Sequence, residues 1–264
     1  MAQRVVISGA SRGLGAALAE AMAEPGVALL LLARHGENLR QVAERCVQKG
    51  AEVYWRALDV RHREAVADAV EAFASRGGVH LLIANAGVVA LEDTPTDLGP
   101  DWEQLREQID HNLTCTLSLL QAGLSLPMDQ RPHLHCVVVS SLNAFLPLGE
   151  APGYCVAKAA QHALVAALDD FYACRPEPRT EVVFSLVCPG FVATAMAIDY
   201  PGPRPFECSA QQAAQRILRG LRAGHKVIVF PRRLALLLWI GQRLPKPILR
   251  WILAPSRAYR GSWP

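Results

Sequence analysis

Residues 5–15 read Val-Val-Ile-Ser-Gly-Ala-Ser-Arg-Gly-Leu-Gly, a short apolar run followed by a turn with three glycines. A helical pattern begins inside this turn and continues to residue 24. Further runs that are almost wholly apolar occur at 27–33, 81–83, 136–139, 182–187 and 227–230, with helical patterns between them. Such runs suit strands that are buried on both faces, as parallel sheets require. The sequence therefore predicts an α/β fold, a doubly wound parallel sheet of about seven strands with helices on both faces.

The size and composition of the chain bound its organisation. It has 264 residues, about half of them apolar, which is enough for one sizeable core. No Ser/Gly/Pro-rich linker interrupts the alternating patterns, so we predict one domain over 1–231 and a C-terminal extension over 232–264. Seven cysteines occur at scattered spacings without a Cys-x-x-Cys pair, and no signal peptide is evident. We therefore expect reduced thiols, a cytoplasmic location and no metal site.

The glycine-rich turn is a candidate anion site. Glycines at the start of a helix permit a tight turn and let backbone N–H groups approach a pyrophosphate. Three residues separate the first two glycines and one separates the last two, a spacing that differs from the common dinucleotide fingerprint. We assign dinucleotide binding to Gly9, Ser11, Arg12, Gly13, Leu14 and Gly15.

Three polar residues in the middle of the chain form a second candidate site. Tyr154 and Lys158 stand four residues apart at the start of a helical pattern, so they share one helix face. Ser141 lies thirteen residues before Tyr154, just after the run at 136–139. A tyrosine beside a cation is a candidate proton donor, and the serine hydroxyl could hold a carbonyl oxygen against it. Taken singly, such residues are more often a core serine, a surface lysine and a half-buried tyrosine.

The glycine spacing, the Ser-Tyr-Lys set and Asn85-Ala86-Gly87 after the run at 81–83 together resemble the short-chain dehydrogenase/reductase family. The resemblance extends from residue 4 to about residue 230. It implies a Rossmann-like fold and an oxidoreductase that interconverts a carbonyl and an alcohol by hydride transfer with a nicotinamide cofactor. The alternative class is a non-catalytic dinucleotide-binding scaffold, because a fold does not guarantee chemistry. The complete set of polar residues argues against that alternative.

The resemblance also assigns catalytic roles. Tyr154 is implied to be the general acid/base, with Lys158 as its partner. Ser141 is implied to position the substrate, since the thirteen-residue spacing of the family selects it over Ser140. Asn112 is the fourth member, whose backbone carbonyl anchors a water that links Lys158 to solvent. Lys158 and the positive nicotinamide ring are expected to lower the pKa of Tyr154 from about 10.

The end of the run at 27–33 concerns the choice of cofactor. Ala33-Arg34-His35 contains no carboxylate that could accept hydrogen bonds from the ribose hydroxyls of NAD. Arg34 and Arg12 could face a 2′-phosphate, for which guanidinium groups are well suited, or could simply be solvated. Their positions match the NADP-preferring members of the family, so we expect NADP(H) rather than NAD(H).

The resemblance adds further cofactor contacts. Asp59 is implied to contact the adenine, although an aspartate after a strand could also cap a helix. The other implied contacts are Val60, Asn85, Ala86, Gly87, Tyr154, Lys158, Pro189, Gly190, Val192 and Thr194.

The substrate side of the site is less defined by sequence. Residues 191–208 correspond to the segment that closes over substrate in the family. We assign Leu142, Phe145 and Phe191 to the substrate pocket, with Leu146 and Leu148 bordering it. An apolar pocket is the norm for ligand sites. A hydrophobic or lipid-like carbonyl is the favoured substrate, and 3-oxoacyl or surface-polysaccharide compounds are alternatives.

The charge of the chain is strongly segregated. Residues 208–264 contain eleven Lys/Arg and no Asp or Glu, whereas the first 207 residues contain sixteen basic and twenty-four acidic residues. Apolar runs at 234–241 and 248–253 alternate with Arg232, Arg233, Arg243, Lys246 and Arg250. This pattern suits interfacial association with an anionic membrane, or a helix packed on the domain or at a subunit interface.

Partners follow from the same reasoning. We expect a small-molecule substrate and no nucleic acid. The resemblance implies a homodimer or homotetramer assembled through the long helices predicted at 101–126 and 154–174.

Overall fold

The computed structural model describes residues 3–89, 101–146, 151–174, 181–198, 203–241, 243–245 and 247–248. Strands and helices alternate along these residues. The strands are β1 (Gln3–Ser8), β2 (Val27–Ala33), β3 (Glu52–Ala57), β4 (Leu81–Ala84), β5 (His133–Val139), β6 (Glu181–Pro189), β7 (Val192–Ala193), β8 (Cys208–Ser209) and β9 (Val227–Phe230). The helices are α1 (Gly13–Met22), α2 (Gly36–Gln48), α3 (Arg63–Ala74), α4 (Trp102–Leu124), α5 (Pro152–Ala173), α6 (Ala195–Ile198), α7 (Ala210–Arg222) and α8 (Arg232–Gly241).

Seven of these strands form one parallel sheet in the order β3-β2-β1-β4-β5-β6-β9. This architecture confirms the predicted doubly wound α/β fold. The order reverses at β1, which pairs with β2 on one side and with β4 on the other. The loops that follow the two strands at such a reversal run in opposite directions. A crevice therefore opens between these loops at the carboxyl ends of the strands, and ligands bind in it.

Helices cover both faces of the sheet. Val5 and Ile7 of β1 face a core that includes residues of α1, α2 and α7. Val6 faces the opposite core, which includes residues of α3, α4 and α5. Because successive strand residues point to opposite faces and both faces are covered, strand residues on either side must be apolar. This arrangement explains the uninterrupted apolar runs.

Strand β3 is the exception to that pattern. It pairs only with β2, at one edge of the sheet, and Glu52 and Arg56 are exposed. Its sequence is therefore mixed in polarity, and it is absent from the apolar runs identified above. The short parallel pair of β7 and β8 also had no apolar signal.

Two helix starts position residues of the candidate site. Helix α4 begins after Asp101, whose side chain accepts hydrogen bonds from the N–H groups of Glu103 and Gln104. Proline in the first turn, Pro152, begins α5, because its fixed backbone angle and missing N–H suit that position. Tyr154 follows two residues later, so its side chain projects from the first turn of α5.

The beginning of the predicted extension is helical. Leu234, Ala235 and Leu238 of α8 pack against the core on the α3–α5 side of the sheet. No helix among the described residues is long and apolar enough to span a bilayer. Several residues considered from sequence lie outside the described part of the chain, namely Leu148, Lys246, Arg250, Trp251 and residues 199–202.

Candidate active site

A cleft of about 290 Å³ lies at the carboxyl ends of the sheet strands around the reversal point. It brings together most of the residues assigned from sequence, which come from seven separate segments of the chain. These residues are Gly9, Ser11, Arg12, Gly13, Leu14, Arg34, Asp59, Val60, Asn85, Ala86, Gly87, Ser141, Leu142, Tyr154, Lys158, Pro189, Gly190, Phe191, Val192 and Thr194. Three assigned residues, Gly15, Asn112 and Phe145, do not line the cleft.

The glycine-rich turn packs too closely for side chains. Gly9 has a φ of +66°, and a Cβ atom on it would lie 2.8 Å from the Cα atom of Ala86. A Cβ atom on Gly15 would lie 2.2 Å from the carbonyl oxygen of Gly9. Gly15 therefore lies behind the turn, where it allows α1 to approach, while Gly9 forms part of the cleft wall.

A hydrogen-bond network joins this turn to the end of β4. The Ser8 hydroxyl accepts hydrogen bonds from the backbone N–H groups of Asn85 and Ala86, both at 3.1 Å. The Asn85 side-chain amide donates to the carbonyl oxygens of Ser8 and Gly9, at 3.1 and 3.3 Å. Ser8 is fully buried. The two loops at the reversal point are thus held together by protein groups alone.

The N-terminus of α1 can receive an anion. Its N-cap residue is Arg12, which makes no side-chain capping hydrogen bond, and the first turn contains no acidic residue. The first backbone N–H groups of a helix lack helical partners, and the helix dipole favours negative charge beside them. These features, together with the glycine turn above, fit the pyrophosphate of a dinucleotide.

The two arginines assigned to the 2′-phosphate both border the cleft. Arg12 and Arg34 are exposed there, and within the described ranges neither forms an ion pair with a carboxylate. Their guanidinium groups are therefore available to an anion in the cleft.

Asp59 has a strong partner of its own. It forms an ion pair with Arg61 at 2.7 Å and also accepts a hydrogen bond from the Arg61 backbone N–H. The hydrogen bond from Arg61 is the main reason that the pKa of Asp59 falls to about 2. Helix α3 starts beyond this turn, with His62 as its N-cap. Asp59 thus lines the cleft as a paired carboxylate rather than as the cap of α3.

The two adjacent serines after β5 have different partners. The hydroxyl of Ser140 donates to the backbone carbonyl of Lys158 at 3.0 Å. The hydroxyl of Ser141 instead accepts a hydrogen bond from the Asn143 N–H at 3.1 Å and acts to lower the pKa of Tyr154. The Ser140 hydroxyl is thus engaged by the backbone of α5, and the substrate role of Ser141 stays a prediction.

Lys158 lies behind the tyrosine ring. Its ammonium nitrogen donates to the carbonyl oxygen of Val139 at 2.9 Å and lies 5.4 Å from the centroid of the Tyr154 ring. The side chain is only 4% exposed. Serine, tyrosine and lysine therefore form one cluster at the carboxyl end of β5, in which Ser141 and Lys158 are buried and Tyr154 is half-buried.

Burial moves the pKa values of this cluster in opposite directions. Desolvation raises the pKa of Tyr154 to about 12, although the nearby Ser141 hydroxyl acts to lower it. Desolvation lowers the pKa of Lys158 to about 8. The expected lowering of the tyrosine pKa by the lysine is therefore not produced by the protein groups alone, because burial penalises both charged forms.

Asn112 lies one layer behind the cleft. Its side chain accepts from the Val88 N–H at 3.0 Å and donates to the Val88 carbonyl at 2.9 Å, which fixes the loop after β4. Its backbone carbonyl accepts hydrogen bonds from Thr116 at 3.0 Å and from the Gln161 amide at 3.3 Å. The carbonyl that was expected to anchor a water therefore already has two protein donors. Its role in a proton route stays a prediction.

The segment after β6 closes the other end of the cleft. The Gly190 N–H donates to the carbonyl of Phe230 at 2.7 Å, which ties this turn to the last strand. A Cβ atom on Gly13 would lie 3.1 Å from the Thr194 methyl group, so this segment reaches the glycine-rich turn. The cofactor contacts assigned to this segment thus lie opposite the start of α1.

The apolar side of the cleft differs from its prediction at one residue. Leu142 and Phe191 line the cleft. Phe145 does not, because its ring packs edge-on against His162 with the centroids 4.9 Å apart. Leu234 of α8 occupies the apolar wall instead. Leu234 was not predicted from the sequence, because the segment after residue 231 was expected to form a separate extension.

Further unassigned residues line the cleft. His111 and Cys115 of α4 lie one helical turn apart, and the position of His111 beside Asn112 could have indicated it. Burial, reinforced by the charges of Arg61 and Arg34, lowers the pKa of His111. The remaining unassigned residues are Ala33, His35, Val88, Val89, Val139, Ser140, Asn143, Ala151, Ala195 and Ala197.

A glycine turn at the reversal point of a doubly wound sheet, with Ser141, Tyr154 and Lys158 in the same cleft, is the arrangement that the resemblance to short-chain dehydrogenases/reductases predicts. The sequence profile described as short chain dehydrogenase matches residues 3–202, and the chain belongs to this dehydrogenase/reductase family. It is 31% identical over 245 residues to an uncharacterized oxidoreductase of Myxococcus xanthus, over 92% of this chain and 93% of the relative.

Solved structures share the architecture. An alcohol dehydrogenase from the archaeon Thermococcus sibiricus, complexed with 5-hydroxy-NADP, is similar with a TM-score of 0.70 and 28% identity, over 83% of this chain and 90% of that one. A short-chain dehydrogenase/reductase from Burkholderia phymatum, in complex with NAD, has a TM-score of 0.79 and 20% identity, over 99% and 98% of the two chains. At 20% identity the second likeness concerns the fold alone.

Proposed function

We propose that the protein is an NADP(H)-dependent oxidoreductase that interconverts a carbonyl and an alcohol and acts in cells as a reductase. The observation that carries this proposal is the placement of Ser141 and Tyr154 in one cleft, with the Lys158 ammonium 5.4 Å from the centroid of the Tyr154 ring. These three residues lie in the same cleft as the glycine-rich turn and the uncapped start of α1. Proton donor and dinucleotide site are thus adjacent.

The protein groups suit the reductive direction. A bound NADPH supplies the hydride that reduces the carbonyl carbon. Tyr154, whose pKa is raised by burial, remains protonated at neutral pH and can give its proton to the carbonyl oxygen. The Ser141 hydroxyl can donate a hydrogen bond to that oxygen as negative charge develops. Lys158 holds positive charge beside the phenolate that forms.

Tyr154→Phe tests this mechanism. We expect turnover of a carbonyl substrate to fall by about 10²–10⁴-fold, the range for loss of a general acid. NADPH affinity should stay close to that of the unchanged protein, because the aromatic ring is retained. The measurements are a ketone and aldehyde screen that follows NADPH absorbance and a titration of NADPH binding.

Tyr172→Phe is the matched control, since Tyr172 lies on the same helix but packs against Phe184. Substantial activity in Tyr154→Phe would remove the acid/base assignment. A protein that binds NADPH but reduces nothing in the screen would favour the scaffold alternative.

The preference for NADP(H) is supported by the exposed guanidinium groups of Arg12 and Arg34 at the rim of the cleft, which form no ion pair with a carboxylate in the described part of the chain. Arg34→Leu should weaken NADPH by about 10–100-fold, because charge-assisted hydrogen bonds to the 2′-phosphate are lost. NADH, which lacks that phosphate, should be little affected. Calorimetric titrations of both cofactors measure the difference, with Arg56→Leu on β3 as the control. Equal losses for NADPH and NADH would contradict 2′-phosphate recognition.

A hydrophobic or lipid-like carbonyl is the substrate class that we propose. Leu142, Phe191 and Leu234 supply apolar surface in the same cleft as Tyr154. The cytoplasmic location and the homodimer or homotetramer stay predictions. Peripheral contact of the C-terminal extension with an anionic membrane is also a prediction, and α8 provides a surface for it.

A further inference from the structure

Helix α8 has two apolar faces. Leu234, Ala235 and Leu238 on the inner face pack against the core. The outer face consists of residues that are largely exposed, namely Leu236 (58%), Leu237 (59%), Trp239 (51%) and Ile240 (46%). Single exposed apolar residues are ordinary, whereas a contiguous group of large ones marks an interaction surface. We call these four residues the outer face of α8.

The charged residues of α8 and of the chain on either side of it are all basic. Arg232 and Arg233 begin the helix and are exposed. The guanidinium group of Arg243 lies 3.6 Å from the centroid of the Trp239 ring and donates to the Trp239 carbonyl at 2.9 Å. Residues 208–264 contain no carboxylate side chain. The charge complement of this surface is therefore negative.

This charge disfavours a second copy of the chain as the occupant. A twofold interface brings the same patch of both subunits together. It would place Arg232 and Arg233 of one copy near the same cations of the other. An anionic lipid surface instead attracts each arginine, while the apolar side chains enter the region between headgroups and acyl chains.

The same helix borders the candidate active site. Leu234, on the inner face of α8, lines the cleft. A Cβ atom on Gly190 would lie 2.9 Å from Pro231 and 3.3 Å from Leu234, so the start of α8 packs directly on the turn after β6. One side of α8 thus contacts the cleft and the other is exposed.

We propose that the outer face of α8 docks the protein on an anionic membrane surface and brings the mouth of the cleft to lipid-dissolved carbonyl compounds. Docking is inferred from the exposed apolar residues and the arginines of α8 alone. The supply of substrate from the lipid phase rests in addition on the proposed function. Insertion of the apolar side chains and attraction of the arginines to headgroups act together, so both composition and salt govern the affinity.

Vesicle co-sedimentation of the full chain tests the docking step. The probes are vesicles of phosphatidylcholine alone and of phosphatidylcholine with phosphatidylglycerol. We expect binding to the anionic vesicles that weakens with added salt. Leu236→Ser/Leu237→Ser should weaken it by about tenfold or more, because two side chains no longer partition into the bilayer. Arg232→Glu/Arg233→Glu should weaken it by about tenfold or more at low salt.

Two control variants match these changes elsewhere on the molecule. Val47→Ser removes a residue on α2 that is 55% exposed. Arg56→Glu/Arg63→Glu changes the net charge by the same amount as Arg232→Glu/Arg233→Glu. Arg56 lies in β3, Arg63 is the first residue of α3, and both are exposed. Both should bind vesicles like the unchanged protein. Equal binding by all five proteins, or none by the unchanged one, would overturn the proposal.

Two further measurements separate the docking surface from the proposed function. Variants of the outer face should keep NADPH affinity and turnover of a water-soluble ketone, and lose turnover of a long-chain ketone carried in anionic vesicles. If no ketone is reduced by any protein, the proposed function fails while vesicle binding still decides the docking step. If the variants instead change the molecular mass measured by light scattering and vesicles do not bind, the outer face is a contact between copies and the proposal is wrong.

Discussion

Lys158 and Tyr154 show how burial of the proposed catalytic pair affects stability. The pKa of Lys158 is lowered from 10.5 to about 8 by desolvation. Below about pH 8 the lysine is charged in both the folded and the unfolded state, so folding carries the full desolvation penalty. Between about 8 and 10.5 only the unfolded state keeps the proton, and linkage requires stability to rise with pH across this window. Tyr154, with its pKa raised from 10.0 to about 12, lowers stability again as pH rises above 10.0.

Lys158→Met should therefore stabilise the protein while removing its activity. We expect a gain in the free energy of unfolding of about 1–3 kcal/mol near neutral pH, since a shift of one pKa unit corresponds to about 1.4 kcal/mol and the hydrogen bond to Val139 is lost. The gain should shrink as pH approaches 10.5, the ordinary pKa of lysine. Urea denaturation at several pH values measures it.

Lys226→Met is the control for this experiment. Lys226 is exposed and forms an ion pair with Asp169 at 2.8 Å, so its removal should produce no gain at neutral pH. A Lys158→Met variant that is less stable than the unchanged protein at every pH would show that the hydrogen bond outweighs desolvation.

The sequence allowed the site residues to be predicted from their types and spacings. It predicted less well which groups these residues contact and how deeply they are buried. Ser141 was chosen over Ser140 by spacing, and the two hydroxyls do have different partners. Phe145 was assigned to the cleft from its neighbourhood in sequence, yet the local turn directs its ring to His162. The direction in which the pKa of Tyr154 shifts depends on how deeply the side chain is buried, and a sequence motif does not specify burial.

At the scale of elements, small residues determine how closely a helix can approach the sheet. A Cβ atom on Gly123 of α4 would lie 2.1 Å from a methyl carbon of Leu82, which is fully buried in β4. The missing side chain lets α4 approach the sheet. This approach matters for the site, because α4 carries Asn112 and His111.

A double-mutant cycle tests this contact. Gly123→Ala should destabilise the protein by about 1–3 kcal/mol through overpacking, and Leu82→Ala by about 2–5 kcal/mol through loss of buried volume. The double variant should cost less than the sum by about 1 kcal/mol or more, because the new methyl group occupies space that Leu82 leaves.

Chemical denaturation gives the energies for this cycle. The control cycle pairs Leu82→Ala with Gly220→Ala, which contacts Ile228 in another layer of the fold, and its costs should add. Additive costs for Gly123→Ala and Leu82→Ala would contradict the contact.

Edge strands and terminal helices were harder to predict than central strands. Central strands are covered on both faces and therefore have a uniform apolar sequence. Strand β3 has an exposed face, and its polarity is mixed. Helix α8 carries apolar residues all round, so the sequence alone could not tell which of them pack against the core and which are exposed. The structure shows that Leu234, Ala235 and Leu238 pack against the core, whereas the residues of the outer face are exposed.

The whole molecule has further exposed apolar residues on the pair of long helices. Trp102 and Leu117 of α4 and Val156 and Phe171 of α5 are exposed. They agree with the expected oligomer contact through these helices. Leu117→Glu should reduce the molecular mass in solution to that of a monomer, because a carboxylate would be buried at the contact. Light scattering after gel filtration measures the mass, with Val47→Glu on α2 as the control. A monomeric unchanged protein would contradict the oligomer.

At this scale the fold was the most predictable property. Alternating apolar runs and helical patterns determine a doubly wound sheet, and right-handed crossovers leave few other topologies. The reversal point then brings the ends of β1 and β4 together, so motifs distant in sequence meet in one cleft. The excess of basic residues after residue 207 could also be predicted from the sequence. The surface on which these residues lie could not, because it depends on how α8 packs on the sheet.

The network of Ser8 and Asn85 has a thermodynamic consequence. Because it joins the glycine-rich turn to the end of β4 through buried and half-buried hydrogen bonds, the dinucleotide meets a surface that is already pre-organised. Little conformational entropy of the chain is then lost on association, and more of the contact free energy appears as affinity.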